Sequence, residues 1–508
     1  MVTGLGVSGF AAADTLAELG VSVVVVDSQD TQAQRERADT LRIVGVEEIL
    51  LGEQHTHELP LVAGAQADLV VTSPGWRPDS ALISQARQAS VPVWSEVELA
   101  WRLGPRPGAR TPRWLVVTGT NGKTTTTALL ERMLINDGRR AIACGNIGVP
   151  VLDAIRDPQG YDDLAVELSS FQLHYTELLD PVASAVLNIA EDHVDWHGSF
   201  AEYCADKARI YENTQLACVY NVDSPVTEQM VADADVQEGC RAIGFTMGSP
   251  GPSMIGLVED LLVDRAFLEN RQTQALELGS LDDFGAVAPQ HVVANTLAAA
   301  ALARAAGVEP AAVRQTILEY TPAEHRIQPV ETSDGVLWIN DTKATNPHAA
   351  EASLRSFSDI VWIAGGLSKG ADFDPLVTTI AERLRYVILI GTDSAQLRSS
   401  LERHAPHVTV IGGRLREDNL SDPPLNTAGA PGSGSTLAEA ALNGDDGDAA
   451  MKAAVAEAAH VAGPGDTVLL APASASMDQF ASYMARGDSF IDAVTAREQQ
   501  AGAPGATS

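Results

Sequence analysis

Residues 114–127 read Trp114-Leu115-Val116-Val117-Thr118-Gly119-Thr120-Asn121-Gly122-Lys123-Thr124-Thr125-Thr126-Thr127. Leu115, Val116 and Val117 form a short apolar run that suits a buried parallel strand. Thr118 to Gly122 make a turn of small residues. Lys123 then opens a segment with Ala128, Leu129, Leu130, Met133 and Leu134 in a helical pattern, closed by Asp137-Gly138. Strand, glycine turn and helix N-terminus in that order make a phosphate cradle. Its backbone N–H groups point outward, the helix dipole favours an anion, the lysine supplies a mobile charge and the next threonine can hold Mg²⁺. The standard phosphate loop has glycine five places before Gly122, where Val117 stands, so the motif is a variant. An ordinary strand-to-helix turn would have to carry Gly-Lys-Thr-Thr in this setting by chance.

The chain around the cradle has 508 residues, which predicts about three domains of roughly 100–200 residues each. It carries 67 acidic and 34 basic residues, a formal net charge of −33. Such a chain repels polyphosphate backbones, which argues against nucleic-acid and anionic-membrane partners. A phosphorylated ligand must be held by local basic residues and metal against the overall field. Cys144, Cys204, Cys218 and Cys240 have no C-x-x-C spacing and are expected to be free thiols in a reducing compartment. No apolar run approaches the ~18–20 residues of a membrane span, and the N-terminus has no charged-then-apolar secretion signal. A cytoplasmic protein is expected.

Gly4-Leu5-Gly6-Val7-Ser8-Gly9 fits G-x-G-x-x-G and leads into an alanine-rich helix ending near Gly20. Val21 to Val26 is the next strand, stopping at Asp27, about where a dinucleotide fold places its ribose-binding carboxylate. Only Met1, Val2 and Thr3 precede Gly4, so either the first strand is abbreviated or the true start lies upstream. Asp68 to Thr72 runs into Ser73-Pro74-Gly75-Trp76, equally a ligand turn at a strand's C-terminal end or a plain connection. Gly104-Pro105-Arg106-Pro107-Gly108 is a stiff, polar linker and the first domain boundary.

Three further strands converge on the cradle. Ala141 to Cys144 leads to Gly145-Asn146-Ile147-Gly148, Leu164 to Val166 to Glu167-Leu168-Ser169-Ser170-Phe171-Gln172, and Val182 to Ile189 to Glu191-Asp192-His193. In a parallel sheet these ends share one edge, so Thr124, Glu167, Asp192 and His193 can meet there. A carboxylate on a neighbouring strand end is what a phosphate-bound Mg²⁺ needs. Taken singly, Glu167 is also a capping acid and His193 a satisfied loop histidine. Their coincidence on one edge favours chemistry.

Thr118-Gly119-Thr120-Asn121-Gly122-Lys123-Thr124, Glu167-Leu168-Ser169-Ser170-Phe171-Gln172 and Glu191-Asp192-His193 resemble the Mur ligases, ATP-dependent amide-forming enzymes of peptidoglycan synthesis. The Glu-Leu-Ser-Ser-Phe-Gln-Leu form and the short N-terminal domain most resemble the D-glutamate-adding branch. The resemblance implies three α/β domains: a Rossmann-like domain over 1–108 for the UDP-sugar, a central P-loop ATPase-like parallel-sheet domain over 109–322, and a Rossmann-like domain over 323–508 for the amino acid. It implies Gly119, Thr120, Asn121, Gly122, Lys123, Thr124 and Thr125 around ATP, with Lys123 on its β- and γ-phosphates, Asn295 at the adenine, and Arg326 and Asp341 as further ATP contacts. Thr124 and Glu167 would hold a first Mg²⁺, and His193 with a carbamylated Lys207 a second. Without the family, Lys207 reads as a helix-surface lysine. Gly6, Val7, Ser8, Asp27, Ser73, Pro74, Gly75, Asn146 and Ser169 are assigned to the UDP-sugar, with Asp27 near the uracil end. The resemblance puts Lys123, His193 and Lys207 at the catalytic centre. Asp206, Arg209 and the 248–253 turn take no role.

Beyond Thr321-Pro322, strands at Val336–Ile339, Ile360–Ala364, Tyr386–Ile390 and Thr467–Leu470 each end in a polar turn, the pattern of another doubly wound domain. The resemblance implies D-glutamate contacts from Thr345, Lys369, Ser476, Met477 and Tyr483; Lys369 alone reads equally as a loop-surface lysine. Residues 412–450 have the composition of a disordered insertion, and the tail from Ala501 is expected to be unordered too. The implied substrates are ATP, UDP-N-acetylmuramoyl-L-alanine and D-glutamate, joined through an acyl phosphate by a monomer. The competing expectations are another Mur-type or folylpolyglutamate-type ligase, and a nicotinamide-dependent dehydrogenase suggested by Gly4–Gly9 and Asp27.

Overall fold

Apolar runs alternating with helices build three sheets in the computed structural model, which describes residues 1–285, 288–321, 324–330, 332, 334–413 and 441–502. The first sheet holds β1 (Val2–Thr3), β2 (Val24–Asp27), β3 (Glu48–Leu51), β4 (Val70–Thr72) and β5 (Val93–Ser95), all parallel, in the order β3-β2-β1-β4-β5. β1 has two residues yet lies at the centre, with Val2 opposite both Val25 and Val71. Valines buried on both faces sustain so short a strand.

The second sheet has nine strands: β6 (Arg113–Thr118), β7 (Ala141–Gly145), β8 (Asp163–Glu167), β9 (Ala183–Val186), β10 (Ala217–Asn221), β11 (Arg241–Phe245), β12 (Met254–Val258), β13 (Leu261–Asp264) and β14 (Leu276–Ser280). Their order is β14-β13-β12-β11-β10-β9-β6-β8-β7. Strands β6 to β12 are parallel, β6 to β9 as expected. β13 and β14 add an antiparallel edge that the sequence reading omitted. The β12–β13 turn uses Glu259 at φ +56° and Asp260, so no glycine announces the hairpin. The unassigned 248–253 turn joins β11 to β12.

The third sheet comprises β15 (Gln328–Val330), β16 (Leu337–Asn340), β17 (Ile360–Gly365), β18 (Leu384–Ile390), β19 (Thr409–Gly412) and β20 (Thr467–Leu470), in the order β15-β16-β20-β17-β18-β19. Only β15 runs antiparallel. The expected insertion falls largely outside the described residues. So do Pro322 of the expected boundary and the tail beyond Gly502.

One apolar cluster runs from Val2, Leu5 and Val97 to Trp114, Val116 and Val186, tying the first two sheets together. Residues 1–288 with 292–320 accordingly form one compact unit, and 289–291 with 321–508 another. No described helix is long and apolar enough to cross a membrane.

Candidate active site

Register fixes the edge on which chemistry collects. Thr118 lies beside Val186, and Val117 and Gly145 lie on either side of Glu167, so the turns after β6, β7, β8 and β9 leave the same side. The helix Lys123–Asn136 begins on Gly122, whose φ of +84° belongs to the left-handed region. A Cβ on Gly122 would stand 2.3 Å from Asn295 Oδ1, so the predicted adenine residue abuts the turn and a side chain at 122 would be strained and would displace the Asn295 amide. Asn188, absent from the predicted set, shapes the turn from the other side. Its Oδ1 accepts from Asn121 N at 2.8 Å and its Nδ2 donates to Asn121 O at 3.0 Å. Lys123 Nζ donates to the carbonyls of Gly119 and Thr120, both at 2.9 Å. Thr124 and Thr125 follow in the first helical turn, half-buried.

Lys207 stands against the same turn. Only 2% exposed, it donates from Nζ to Gly119 O at 2.9 Å and to Thr118 Oγ1 at 3.3 Å, over the Tyr203 ring. Burial holds its pKa well below the usual lysine range, helped by the nearby Lys123 charge and opposed by Asp192 and Glu167. The helix-surface expectation for Lys207 is therefore excluded. Tyr203, also missed in the sequence, hydrogen-bonds Thr120 Oγ1 at 2.8 Å. Tyr203 and Lys207 are one helical turn apart, a spacing visible in the sequence only once the helix Phe200–Ala208 is known to face the cradle.

Glu167 is 1% exposed. Its Oε1 accepts from Asn146 Nδ2 at 2.8 Å, while its Oε2 is buried without a hydrogen-bond partner. Asn146, assigned to the UDP-sugar, thus holds Glu167. Ser169, assigned likewise, caps the helix Ser170–His174 in a capping box with Gln172. His193 adopts φ +51° as the cap of the helix Val194–His197. Its ring lies 4.8 Å from that of Phe171 and its Nε2 lies 3.5 Å from Asp192, so it is held beside the edge, half-exposed. Among the described residues no three His, Cys, Asp or Glu side chains are gathered as a ready-made metal site.

At the first sheet, Gly9 lets its helix approach the turn: a Cβ there would meet Gly4 O at 1.9 Å. The turns Gly4–Ser8 and Ser73–Trp76 lie side by side, with Ser73 N donating to Thr3 O at 2.9 Å and Ser73 Oγ buried and unpartnered. Gly6, Val7, Ser8, Pro74 and Gly75 belong to these two turns. Asp27 is 7% exposed and accepts from the backbone N–H of Leu5 and of Gln29. It braces the glycine turn.

In the second unit, Asp341 is buried and accepts from Ile327 N at 3.2 Å and from the Ser353 hydroxyl. Burial raises its pKa to about 6, while the neighbouring Arg326 pulls it down. The two predicted ATP contacts are thus neighbours. The loops after β16, β17 and β20, which carry Thr345, Lys369 and Ser476, are stitched together. Leu367 and Ala475 exchange backbone hydrogen bonds, and Ala473 N donates to Ala344 O. Lys369 is exposed at φ +51°, Met477 is 73% exposed, and Tyr483 packs its ring near Lys343. Arg486, missed in the sequence, sits 1% exposed beneath these loops. It donates to Thr342 Oγ1 and O, to Ser474 O and to Gly365 O.

Residues 1–95, 117–303 and 325–417 match in turn the Mur ligase MurD-like N-terminal domain, the Mur ligase middle domain and the Mur ligase glutamate ligase domain. The chain is 51% identical, over 97% of both chains, to a protein of Streptomyces coelicolor named UDP-N-acetylmuramoylalanine–D-glutamate ligase. A protein of the same name from Mycolicibacterium smegmatis is 43% identical over 98% of this chain and 96% of its own. Among solved structures, the MurF ligase of Thermotoga maritima in complex with ADP aligns with a TM-score of 0.55 at 16% identity, covering 95% of this chain and 96% of that one. The UDP-N-acetylmuramate-alanine ligase MurC of the same organism aligns with a TM-score of 0.51 at 17% identity, covering 98% and 99%. At such identities the two structures bear on fold alone.

Proposed function

The chain belongs to the Mur ligase family, and from that premise we propose that it is the cytoplasmic, monomeric enzyme that adds D-glutamate to UDP-N-acetylmuramoyl-L-alanine at the expense of ATP. The observation that carries this reading is the single edge on which the Lys123 turn, the buried Lys207 and the unpartnered Glu167 Oε2 meet. We place the domain boundaries at 108 and 322.

A carboxylate is a poor electrophile and hydroxide a poor leaving group, so an amide does not form directly at neutral pH. Transfer of the γ-phosphoryl group of ATP to the alanine carboxylate gives an acyl phosphate. Attack by the D-glutamate amine then expels phosphate. Enzymatic phosphoryl transfer is mostly positioning and charge neutralisation. Lys123 supplies a mobile cation at the turn, and the N–H groups of the first helical turn, Lys123 to Thr125, would receive the phosphates. Mg²⁺ fits the residues present: the free buried oxygen of Glu167 and the Thr124 hydroxyl are hard oxygen donors for one ion, and His193 with carbamylated Lys207 would take a second. Bound there, the ions would neutralise phosphate charge.

The lowered pKa of Lys207 suits carbamylation. The neutral amine attacks the carbon of CO₂, loses one proton and becomes an anionic oxygen donor. In the first sheet, the turns at Gly6–Ser8 and Ser73–Gly75 would receive the uridine diphosphate, with Asp27 bracing the turn. Thr345, Lys369, Ser476, Met477 and Tyr483 would meet D-glutamate, Lys369 through its side-chain carboxylate.

Phosphate release with the nucleotide-sugar, ATP and a panel of amino acids tests the proposal. Release with D-glutamate alone of the panel is expected. Lys123→Ala should lower kcat by about a thousandfold or more, since it removes the charge at the transferring group. Full activity in that variant would defeat the assignment.

A further inference from the structure

Asp206 and Arg209 flank Lys207 and have no part in the chemistry above, yet each is committed to the element behind Glu167. Asp206, 8% exposed, accepts from His174 Nδ1 at 2.9 Å and from His197 Nδ1 at 2.8 Å. An ionised carboxylate only accepts, so both Nδ1 atoms carry their protons, and in neutral rings both Nε2 atoms are acceptors. The partners agree: His197 Nε2 lies 3.0 Å from Ser170 Oγ, and His174 Nε2 lies 3.2 Å from Arg87 Nη2. Burial lowers the His197 pKa against the pull of Asp206, in keeping with a neutral ring. Arg209 Nη1 donates to the carbonyls of Leu173, His174 and Thr176, closing the C-terminal end of the same short helix.

Apart from the arm that ends on Arg87, the network ends on or beside elements that carry site residues. Ser170 opens the helix three residues after Glu167. His197 ends the helix that His193 caps, and Asp206 directly precedes Lys207. Phe171 fills the space between, 4.8 Å from the His193 ring and 5.6 Å from that of His197. We propose that Asp206, bridging His174 and His197, is a positioning hub that sets Glu167, His193 and Lys207 relative to the glycine turn. The proposal rests on the ligase reading of that edge. Ser170, His197 and Asp206 also occur in the order of an acyl-transfer triad. That alternative fails on access, because Ser170 is 3% exposed and the His197 side chain is fully enclosed.

The test uses the full chain with Asp206→Asn, His197→Phe and, as control, Lys207→Ala. Asparagine keeps the shape of Asp206 but turns an N–H₂ toward one imidazole N–H. Phenylalanine keeps the ring packing and loses both hydrogen bonds. For both hub variants kcat should fall about ten- to a hundredfold while the KM for ATP stays within about twofold. Binding of Mn²⁺ in the presence of ADP, read by electron paramagnetic resonance, should weaken by about tenfold. Hub variants with unchanged kcat and Mn²⁺ affinity, beside an inactive Lys207→Ala, would overturn the hub alone. A fully active Lys207→Ala would overturn the reading of the edge and the hub with it. Losses that merely follow a lowered melting temperature would reduce the network to a structural role and overturn the proposal.

Discussion

Glu96 shows what a single buried carboxylate does to stability. It is 1% exposed beneath the first sheet, and neither oxygen is closed by a well-formed hydrogen bond. Burial raises its pKa from 4.5 to about 7, with the Ser8 hydroxyl easing the charge slightly and Asp153 opposing it. The folded state therefore keeps a proton that the unfolded chain loses near pH 4.5. The stabilising contribution is complete below that pH and is lost as pH rises to about 7, a span of about 3 kcal/mol. Glu96→Gln should flatten the stability curve between those pH values and be the more stable form at pH 8, measured by urea unfolding. An equal change at pH 5 and pH 8 would sink this assignment. At the same scale, Lys123 was legible because glycine, lysine and threonine at fixed offsets leave few other uses. Lys207 was legible only by resemblance, since burial of a lysine is decided by which helix face meets the sheet. Asn146 and Ser169 were placed at the right edge, and the structure adds that they hold Glu167 and cap a helix.

At the scale of elements, the strands that lead into the site turns, β2, β4, β6 to β9, β16 to β18 and β20, were legible from their continuous apolar runs bounded by turn formers, whereas β3, β5, β10 to β12 and β19 went unread. β13 and β14 were missed for the opposite reason: an edge hairpin is half-polar and its turn lacks glycine. Arg486 was invisible for a third reason: two of the three loops it joins lie 144 and 121 residues away in the sequence, at Thr342 and Gly365. Among the described residues its guanidinium has no carboxylate in hydrogen-bond reach, and burial lowers its pKa to about 9 against the more distant Asp478. Such a residue is retained where a planar fork must satisfy several carbonyls at once. Arg486→Met should cost about 2 kcal/mol or more in stability by stranding those carbonyls. It should also raise the KM for the amino acid well before that for ATP. Arg486→Lys should restore little, because one ammonium cannot reproduce the fork. Initial rates at varied D-glutamate decide the matter; an unchanged KM in Arg486→Met would separate the arginine from the loops' function.

At the scale of the molecule, a net charge of −33 sets the field in which two polyphosphate substrates approach. The local cation at the cradle, Lys123, acts over short range and stands with Lys207 among Glu167 and Asp192. The long-range field is therefore repulsive to ATP and to the nucleotide-sugar alike. Salt shortens its reach, from about 30 Å at 0.01 M to about 8 Å at 0.15 M ionic strength. Like-charged partners associate faster when screened, and oppositely charged ones more slowly. The expected result is a kcat/KM for the nucleotide-sugar that rises severalfold across that range of a monovalent salt, at fixed free Mg²⁺. Zwitterionic D-glutamate, with one net negative charge, should respond less than the diphosphate. A kcat/KM that falls with salt would mean that a basic surface around the first sheet outweighs the net charge, and the repulsive field would lose its place in the account of substrate capture.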